Sequence, residues 1–203
     1  MTVRRFPATI LLFGSVLLAF AVELRLGGTG DENTLVRLGA IRDAGTLQGE
    51  YWRVLTYAWL HANFLHVAMN ATLLWWLCRM VERRLGSGRT LGVYLVGVVG
   101  GGIAIATRAA FYPKVGASVG ASAGVSALLA CALVLLHRPS WAFFGQPWSI
   151  RIALWSILII GLAASLLPGV SLVGHLAGVL LGAIGGLLAP LPAPVLGSAA
   201  KAG

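Results

Sequence analysis

Residues 152–200 read IALWSILIIGLAASLLPGVSLVGHLAGVLLGAIGGLLAPLPAPVLGSAA, which is 49 positions without Asp, Glu, Lys or Arg. A helix that crosses the hydrocarbon core of a bilayer needs about 20 mostly apolar residues. The run is therefore long enough for two membrane-spanning helices. Pro168-Gly169 in its middle is a turn signal, so we expect the two spans to be joined there.

Four more charge-free intervals are long enough to span a bilayer. They contain 17, 25, 18 and 23 residues, and they are Phe6–Val22, Val54–Cys78, Thr90–Thr107 and Val115–His137. All six together predict an all-α integral membrane protein, a bundle of six transmembrane helices. The first interval follows Arg4 and Arg5 in the manner of a signal peptide. No small-x-small cleavage site follows it, so we interpret it as a retained helix.

The composition agrees with a membrane protein. Hydrophobic residues make up 58% of the 203 positions and charged residues only 10%, whereas soluble domains carry about 25% charged residues. The 27 glycines suit helices that pack closely in lipid. The net charge of +9 is spread between apolar segments rather than gathered in one patch, which argues against nucleic-acid binding. Cys78 and Cys131 lie in apolar segments without metal-ligand spacing and are expected to be buried thiols.

The distribution of Lys and Arg predicts the orientation. With the N-terminus inside, the inner side holds nine basic residues, which are Arg4, Arg5, Arg79, Arg83, Arg84, Arg89, Arg138, Arg151 and Lys201. The outer side holds six, which are Arg25, Arg37, Arg42, Arg53, Arg108 and Lys114. Cytoplasmic loops carry the excess of positive charge, so we expect both termini in the cytoplasm. The predicted location is the cell inner (plasma) membrane.

The longest connection runs from Glu23 to Arg53 on the outer side. It contains Tyr51-Trp52, an amphipathic aromatic pair suited to the membrane interface, so we expect this loop to be ordered and partly embedded. No internal repeat and no soluble domain is visible. We therefore predict one membrane domain over residues 1–190 and a disordered tail over residues 191–203, which is rich in Pro and small residues.

Polar side chains inside membrane spans are costly, so each one is a candidate functional residue. His61, His66 and Asn70 lie in the second predicted span, Ser118 and Ser122 in the fourth, and His175 in the sixth. Helices two, four and six run in the same direction, and His66, Ser122 and His175 all fall early in them. Three helices thus place polar groups at a similar shallow depth on the outer side.

The chemistry of these residues fits a hydrolytic site. A serine hydroxyl is a weak nucleophile that needs a base, and neutral histidine is the usual one. The oxyanion that develops needs donors aimed at it. His66 and Asn70 are four residues apart, so they share one helix face and could both donate.

Glycine repeats predict close contact between the fourth and sixth helices. Glycine recurs every fourth residue at Gly174, Gly178, Gly182 and Gly186, and again at Gly116, Gly120 and Gly124. These ridges also fit packing without any chemistry. A single serine in a membrane helix most often forms a hydrogen bond to the backbone of its own helix, and we expect this of Ser118. Both Gly116-x-Ser118-x-Gly120 and Gly120-x-Ser122-x-Gly124 match the hydrolase elbow, but that match is weak in a segment predicted as a membrane helix.

Taken together, the motifs resemble the rhomboid intramembrane proteases, in particular the bacterial six-helix members of the GlpG type. The family pattern H-x4-H-x3-N is present as His61, His66 and Asn70, and the Trp-Arg pair as Trp52-Arg53. Residues 81–88, VERRLGSG, are similar to the cytoplasmic turn after the second helix. The G-x-S motif is residues 120–122, and the last-helix motif runs from His175 to Gly178 and Gly182. The similarity extends from about Leu47 to Leu188.

The resemblance implies a role for each of these residues. Ser122 would be the nucleophile and His175 the general base, in a dyad without a third carboxylate. The oxyanion donors would be the Ser122 backbone N–H and the side chains of His66 and Asn70. Structural support would come from His61, Trp52, Arg53, Gly120 and Gly178. His61 and Arg53 would tie the embedded loop to the bundle.

Two residues depart from the family pattern. The position after the serine is usually Gly and here is Ala123, whose methyl we expect to narrow the site. Four residues after the serine, some bacterial members carry a Tyr that packs on the catalytic histidine. Here that position is Ser126, so we expect another residue to hold His175.

The predicted function is an intramembrane serine endopeptidase. Its partners would be transmembrane protein substrates and membrane lipid, and no metal or organic cofactor is implied. The resemblance implies cleavage near the outer face, at small residues in helices that unwind easily. Three alternatives stay open: a catalytically silent rhomboid-like protein that binds membrane clients, a small transporter, and a specialised role such as trimming C-terminal sorting tails. The sequence names neither the substrate nor the oligomeric state.

Overall fold

A computed structural model describes residues 5–28, 30–42, 46, 48–112, 116–138, 148–167 and 169–190. Six long helices lie within these ranges: α1 (Pro7–Arg25), α4 (Phe64–Leu85), α5 (Ser87–Phe111), α6 (Ser122–His137), α7 (Trp148–Ala164) and α8 (Leu172–Leu188). The loop after α1 contains α2 (Glu32–Leu38), α3 (Arg53–Thr56) and a 3₁₀ turn (Tyr57–Trp59). In the described part of the chain, extended pairing is limited to one isolated bridge, between Ile41 and Ser118.

The prediction of an all-α, six-helix membrane bundle is confirmed. Three helices, α1, α4 and α5, are long and apolar enough to cross a membrane by length and composition. The other three, α6, α7 and α8, are shorter apolar helices of 16, 17 and 17 residues. The chain is therefore a multi-pass membrane protein. The interpretation of the first interval as a helix of the bundle agrees with its packing, because Leu12, Val16 and Phe20 lie in the core.

Two of the predicted helix starts are wrong. The second long helix begins at Phe64, not at Val54, because Val54–Asn63 form α3, the 3₁₀ turn and an extended entry. The fourth begins at Ser122, not near residue 115, because residues 116–121 are non-helical and carry the bridge to Ile41. Neither segment belongs to the long helix that follows it, but both are free of charge, so an interval defined by the absence of charge includes them.

Helix α6 forms the centre of the bundle. Most of its residues are buried, and α4, α5 and α8 pack around it. The buried residues of α8 are the four glycines of its predicted ridge, Gly174, Gly178, Gly182 and Gly186. A Cβ built at Gly182 would meet the backbone of Ala127, so the two helix backbones approach as closely as the ridge predicts. The second predicted ridge is wrong, because Gly116 and Gly120 precede α6 and only Gly124 lies in it.

Polar side chains cap helix ends at the face of the bundle away from the predicted site. Glu82, near the end of α4, accepts hydrogen bonds from the Ala8 and Thr9 N–H groups at the start of α1, at 2.9 and 3.0 Å. A carboxylate suits the positive end of a helix dipole. Arg138, just after α6, donates to the carbonyls of Gly186 and Ala189 at the end of α8. Both caps join elements distant in sequence and fix how the helices align.

Some predictions fall on residues outside the described ranges. These are the disordered tail over 191–203, the basic residues Arg4, Lys114 and Lys201, Leu47 at the start of the similarity, Val115 at the start of an interval, and Pro168 of the turn. The two cysteines, by contrast, are described, and both are buried free thiols as predicted.

Candidate active site

Gly120 places Ser122 at the first position of α6. Gly120 has a φ of 122°, a backbone conformation that residues other than glycine rarely adopt. Its N–H donates to the Tyr57 carbonyl at 2.9 Å. The chain then turns directly into the helix, with Ala121 as the N-cap residue. The first N–H groups of an α-helix have no partner within the helix, and they lie at the positive end of its dipole. Ser122 therefore combines a hydroxyl with an N–H at a helix start.

His66 and Asn70 lie beside this turn. Asn63 caps α4 by accepting the His66 N–H at 2.9 Å, which sets the first turn of the helix. A Cβ built at Gly120 would be 2.7 Å from His66 Nε2 and 3.7 Å from Asn70 Nδ2. Both side chains therefore lie close to Gly120, two residues before Ser122. Asn70 Nδ2 donates one hydrogen to the His66 carbonyl at 3.1 Å, which orients the amide along the predicted shared face.

His175 is the fourth residue of α8, which begins after the capping residue Ser171. Its Nδ1 is 2.6 Å from the hydroxyl of Ser165, the residue that follows α7. We expected a residue other than Ser126 to hold the histidine, and Ser165 makes this contact. No sequence pattern singled out Ser165, because it is an isolated serine in an apolar segment.

One cavity of about 540 Å³ brings the predicted site residues together. It is lined by Ser122, His175, His66 and Asn70, and by apolar side chains of α4 and α7 that include Met69, Ile157 and Leu158. No hydrogen bond joins the Ser122 hydroxyl to His175 among the described residues. Catalytic hydrogen bonds are often long without substrate and tighten when it binds. The arrangement offers a nucleophile, a base and donors within one mostly apolar chamber.

His61 lies outside the helix in which it was predicted, in the extended entry to α4. Its backbone N–H donates to the Glu23 carboxylate at 3.0 Å, and its Nδ1 donates to the Trp59 carbonyl at 3.2 Å. Its ring meets the His66 ring edge-on, with 5.0 Å between centroids. His61 thus connects the end of α1 with His66. The buried Glu23 was missed by the sequence reasoning, which treated it as the first residue of a loop.

Arg53 joins distant parts of the first loop. It is 8% exposed, donates to the carbonyls of Val36 and Ala40, and forms an ion pair with Glu50 at 2.8 Å. The hydrogen bond from Arg53 lowers the pKa of the Glu50 carboxyl below its usual value. The Arg53 guanidinium also lies over the Trp52 ring, 4.5 Å from its centroid. Arg53 therefore holds together the described parts of this loop on either side of it.

Gly178 and Ala123 form the contact between α8 and α6 just below the site. A Cβ built at Gly178 would meet the Ala123 carbonyl and lie 3.2 Å from Ser126 Cβ. The Ala123 side chain is directed toward α5, where a Cβ built at Gly101 would lie 2.5 Å from it. The Ala123 methyl thus packs where α5 has a glycine, and Ala123 also lines the cavity, so the expectation that it narrows the site stays a prediction.

Ser118 does not belong to α6, so the expectation that it bonds to its own helix is wrong. Its backbone pairs with Ile41 of the first loop, with Ser118 N–H donating to the Ile41 carbonyl at 2.6 Å and the reverse bond at 3.2 Å. Ser118 is also among the residues that line the cavity. Within the described ranges, no group of three or more His, Cys, Asp or Glu side chains is arranged to hold a metal ion.

Comparison with known proteins gives a family-level match. The family model described as the Rhomboid domain matches residues 48–190, which include all the predicted site residues but not Glu23. That range covers α3 to α8 and leaves α1 and α2 outside it.

Several curated proteins are similar to parts of the chain. Rhomboid protease GluP of Bacillus subtilis (strain 168) is 41% identical over 118 residues, 58% of this chain and 23% of that protein. RHOMBOID-like protein 6, mitochondrial, of Arabidopsis thaliana is 31% identical over 151 residues, which are 74% of this chain and 48% of that protein. Rhomboid protease GlpG of Enterobacter sp. (strain 638) is 31% identical over 93 residues, which are 46% of this chain and 32% of that protein. The matched segments span less than half of each relative.

Proposed function

This chain belongs to the rhomboid family, and from that membership we propose that it is an intramembrane serine endopeptidase. The observation that carries the proposal is the shared cavity, in which Ser122 at the start of α6 faces the same space as His175 of α8. Two of the three relatives named above are called proteases, which supports the same activity.

In the proposed reaction, His175 acts as the general base. One of its ring nitrogens takes the proton of the Ser122 hydroxyl while the Ser122 oxygen attacks the carbonyl carbon of the scissile peptide bond. The histidine then gives this proton to the leaving amine, and an acyl-enzyme remains on Ser122. A water molecule then loses a proton to His175 and attacks the ester carbonyl. The ester bond breaks, and His175 gives that proton to the Ser122 oxygen, which restores the serine and the neutral histidine.

The oxyanion formed by this attack needs donors in the correct place. The Ser122 N–H lies at the start of α6, where the helix dipole favours negative charge. The positions of His66 and Asn70 beside Gly120 support a role as further donors. Asn70 gives one amide hydrogen to the His66 carbonyl and keeps the other available.

The substrate class follows from the setting of the site. The cavity is mostly apolar and lies within a multi-pass membrane protein, which supports transmembrane or membrane-proximal segments of other proteins as substrates. A helical backbone keeps its carbonyls in hydrogen bonds, so the cut segment must unwind to present one. The resemblance implies a preference for small residues at the cut. We place the site at the outer face of the inner membrane and both termini in the cytoplasm.

The rival proposal is a silent rhomboid-like protein that binds membrane clients without cutting them. The presence of Ser122, His175, His66 and Asn70 around one cavity supports catalysis over this alternative. A client-binding role by itself would not require a nucleophile and a base together. The specialised trimming of C-terminal sorting tails is a version of the protease proposal and differs only in the substrate.

The test is labelling of the purified protein by a fluorescent phosphonate that reacts with activated serines. We expect labelling of the wild-type protein, no labelling of Ser122→Ala and strongly reduced labelling of His175→Ala. Cleavage of a model transmembrane substrate in liposomes should follow the same order. A folded wild-type protein that neither labels nor cleaves would favour the silent client-binding reading.

A further inference from the structure

The hydroxyl of Ser165 forms two short contacts between α7 and α8. Its Oγ is 2.7 Å from the Gly161 carbonyl oxygen and 2.6 Å from Nδ1 of His175. Ser165 is 4% exposed, so water does not compete freely for these bonds. Gly161 lies one turn earlier in α7, and its carbonyl also accepts the Ser165 N–H at 3.1 Å, which uses both of its lone pairs.

Counting protons fixes the direction of both hydrogen bonds. The Gly161 carbonyl can only accept, so at 2.7 Å from a hydroxyl oxygen the single Ser165 hydroxyl proton must lie between the two oxygens. The hydroxyl oxygen can then only accept from the imidazole. Nδ1 of neutral His175 must therefore carry the ring proton, and Nε2 has a free lone pair.

This tautomer is the one a general base needs. With Nδ1 engaged by α7, the nitrogen left to take a proton from Ser122 is Nε2, and it is unprotonated. When Nε2 gains the proton, the ring becomes an imidazolium whose Nδ1–H still points at Ser165. The carbonyls of the last turn of α7 lie behind that hydroxyl, at the negative end of the helix dipole, and they favour the positive ring.

We propose that Ser165 is a positioning residue for His175, which holds the imidazole in the tautomer with Nε2 free. This inference rests on the proposed protease function. The neutral Ser165 hydroxyl would have the role that a carboxylate has in a catalytic triad: it orients the imidazole ring and accepts a hydrogen bond from Nδ1–H. It also makes the alignment of His175 depend on the position of α7.

The experiment uses a matched pair of variants, Ser165→Thr and Ser165→Val. Threonine and valine have the same shape, and both add a methyl group on Cβ. Threonine keeps the hydroxyl, whereas valine has a second methyl in its place. We expect Ser165→Thr to cleave a model transmembrane substrate faster than Ser165→Val by about ten-fold in kcat, which is the effect of losing one buried hydrogen bond. KM should be similar in the two variants, because the bond acts on the base rather than on the substrate. Equal kcat values would overturn the proposal.

A second readout does not depend on activity. Nitrogen NMR of isotope-labelled histidine distinguishes the two neutral tautomers, and His175→Ala assigns the His175 signal. We expect the Nδ1–H form in the wild type and in Ser165→Thr, and a mixture or the Nε2–H form in Ser165→Val. The same tautomer in both variants overturns the proposal. If the wild type fails to cleave but the spectra differ, the protease function fails while the control of the tautomer by Ser165 stands.

Discussion

At the scale of single residues, Ser122 depends on its neighbour Gly120 for its place. A residue with a Cβ at position 120 would be strained at a φ of 122° and would approach His66 Nε2 to 2.7 Å. The glycine therefore has two functions, because it permits the turn into α6 and lets His66 approach the start of that helix. A family motif written as Gly-x-Ser thus corresponds to a physical need of the backbone.

The first prediction separates the two serines of this segment. Ser122→Ala should abolish cleavage of a model transmembrane substrate, because it removes the nucleophile. Ser118→Ala should keep substantial activity, because Ser118 pairs with Ile41 through backbone groups that alanine also has. Cleavage rates of the two variants are compared, and thermal unfolding checks that both variants are folded to the same extent. Retained cleavage in Ser122→Ala, or complete loss in Ser118→Ala, would contradict the assignment.

The second prediction concerns the oxyanion donors. Loss of one such donor in a soluble serine protease slows turnover by about 10²–10³. In the proposed site His66, Asn70 and the Ser122 N–H would share the role of donor, so Asn70→Ala or His66→Ala alone should slow turnover by about 10- to 100-fold, below that range. The double variant should lose more than either single one.

The control for this series is substrate binding, measured separately from turnover. Affinity should change little, because the oxyanion exists only in the transition state. If Asn70→Ala weakened binding but left turnover of the bound substrate unchanged, Asn70 would be a substrate contact instead. Thermal unfolding of each variant checks that the loss of the Asn70–His66 hydrogen bond does not unfold α4.

At the scale of helices, close packing of α8 on α6 determines where His175 lies. Gly178 is one turn after His175, and a Cβ there would meet the Ala123 carbonyl, which belongs to the residue after Ser122. The contact thus joins, through their backbones, the two helices that carry the proposed nucleophile and base. Since a carbonyl in a helix cannot move aside as a flexible side chain can, any added atom must separate the helices.

The third prediction compares two glycines with opposite surroundings. Gly178→Ala should lower stability by about 1–3 kcal/mol, as overpacking does, and should slow cleavage by moving His175. Gly92→Ala in α5 is the matched control, because nothing lies within 4 Å of a Cβ built there and alanine favours the helix. Thermal unfolding in detergent and cleavage rates provide the measurement. Equal behaviour of the two variants would show that the α6–α8 contact is not tight.

Helix number could be predicted from the sequence, but two helix starts could not. Charge-free length identifies candidate spans, and the loop before α4 and the turn before α6 are also free of charge, so they were counted with the helices. The ridge on α8 was predictable because its four glycines repeat with the helix period. Ser165 and Glu23 were not, because each depends on contact with a residue that is separated from it along the chain, and no spacing in the sequence signals it.

At the scale of the whole molecule, the two ends of the bundle differ in chemistry. One end carries the site, formed at the starts of α4, α6 and α8. The other carries Arg79, Arg83, Arg84 and Arg89 near the turn between α4 and α5, together with the caps made by Glu82 and Arg138. Clusters of arginine in short loops favour the cytoplasmic side. The site should therefore face the opposite side.

The last prediction tests this orientation. A reporter active only in the cytoplasm should be active when it is fused after Lys201, and a reporter active only outside should be silent there. Truncated fusions serve as controls, because a fusion after Gly28, beyond the end of α1, should report the outer side, and one after Gly86, between α4 and α5, the inner side. An even number of spans gives the two termini the same location. The opposite pattern would place Ser122 and His175 at the cytoplasmic face, and the proposed substrates would then have to present their cut sites from the cytoplasm.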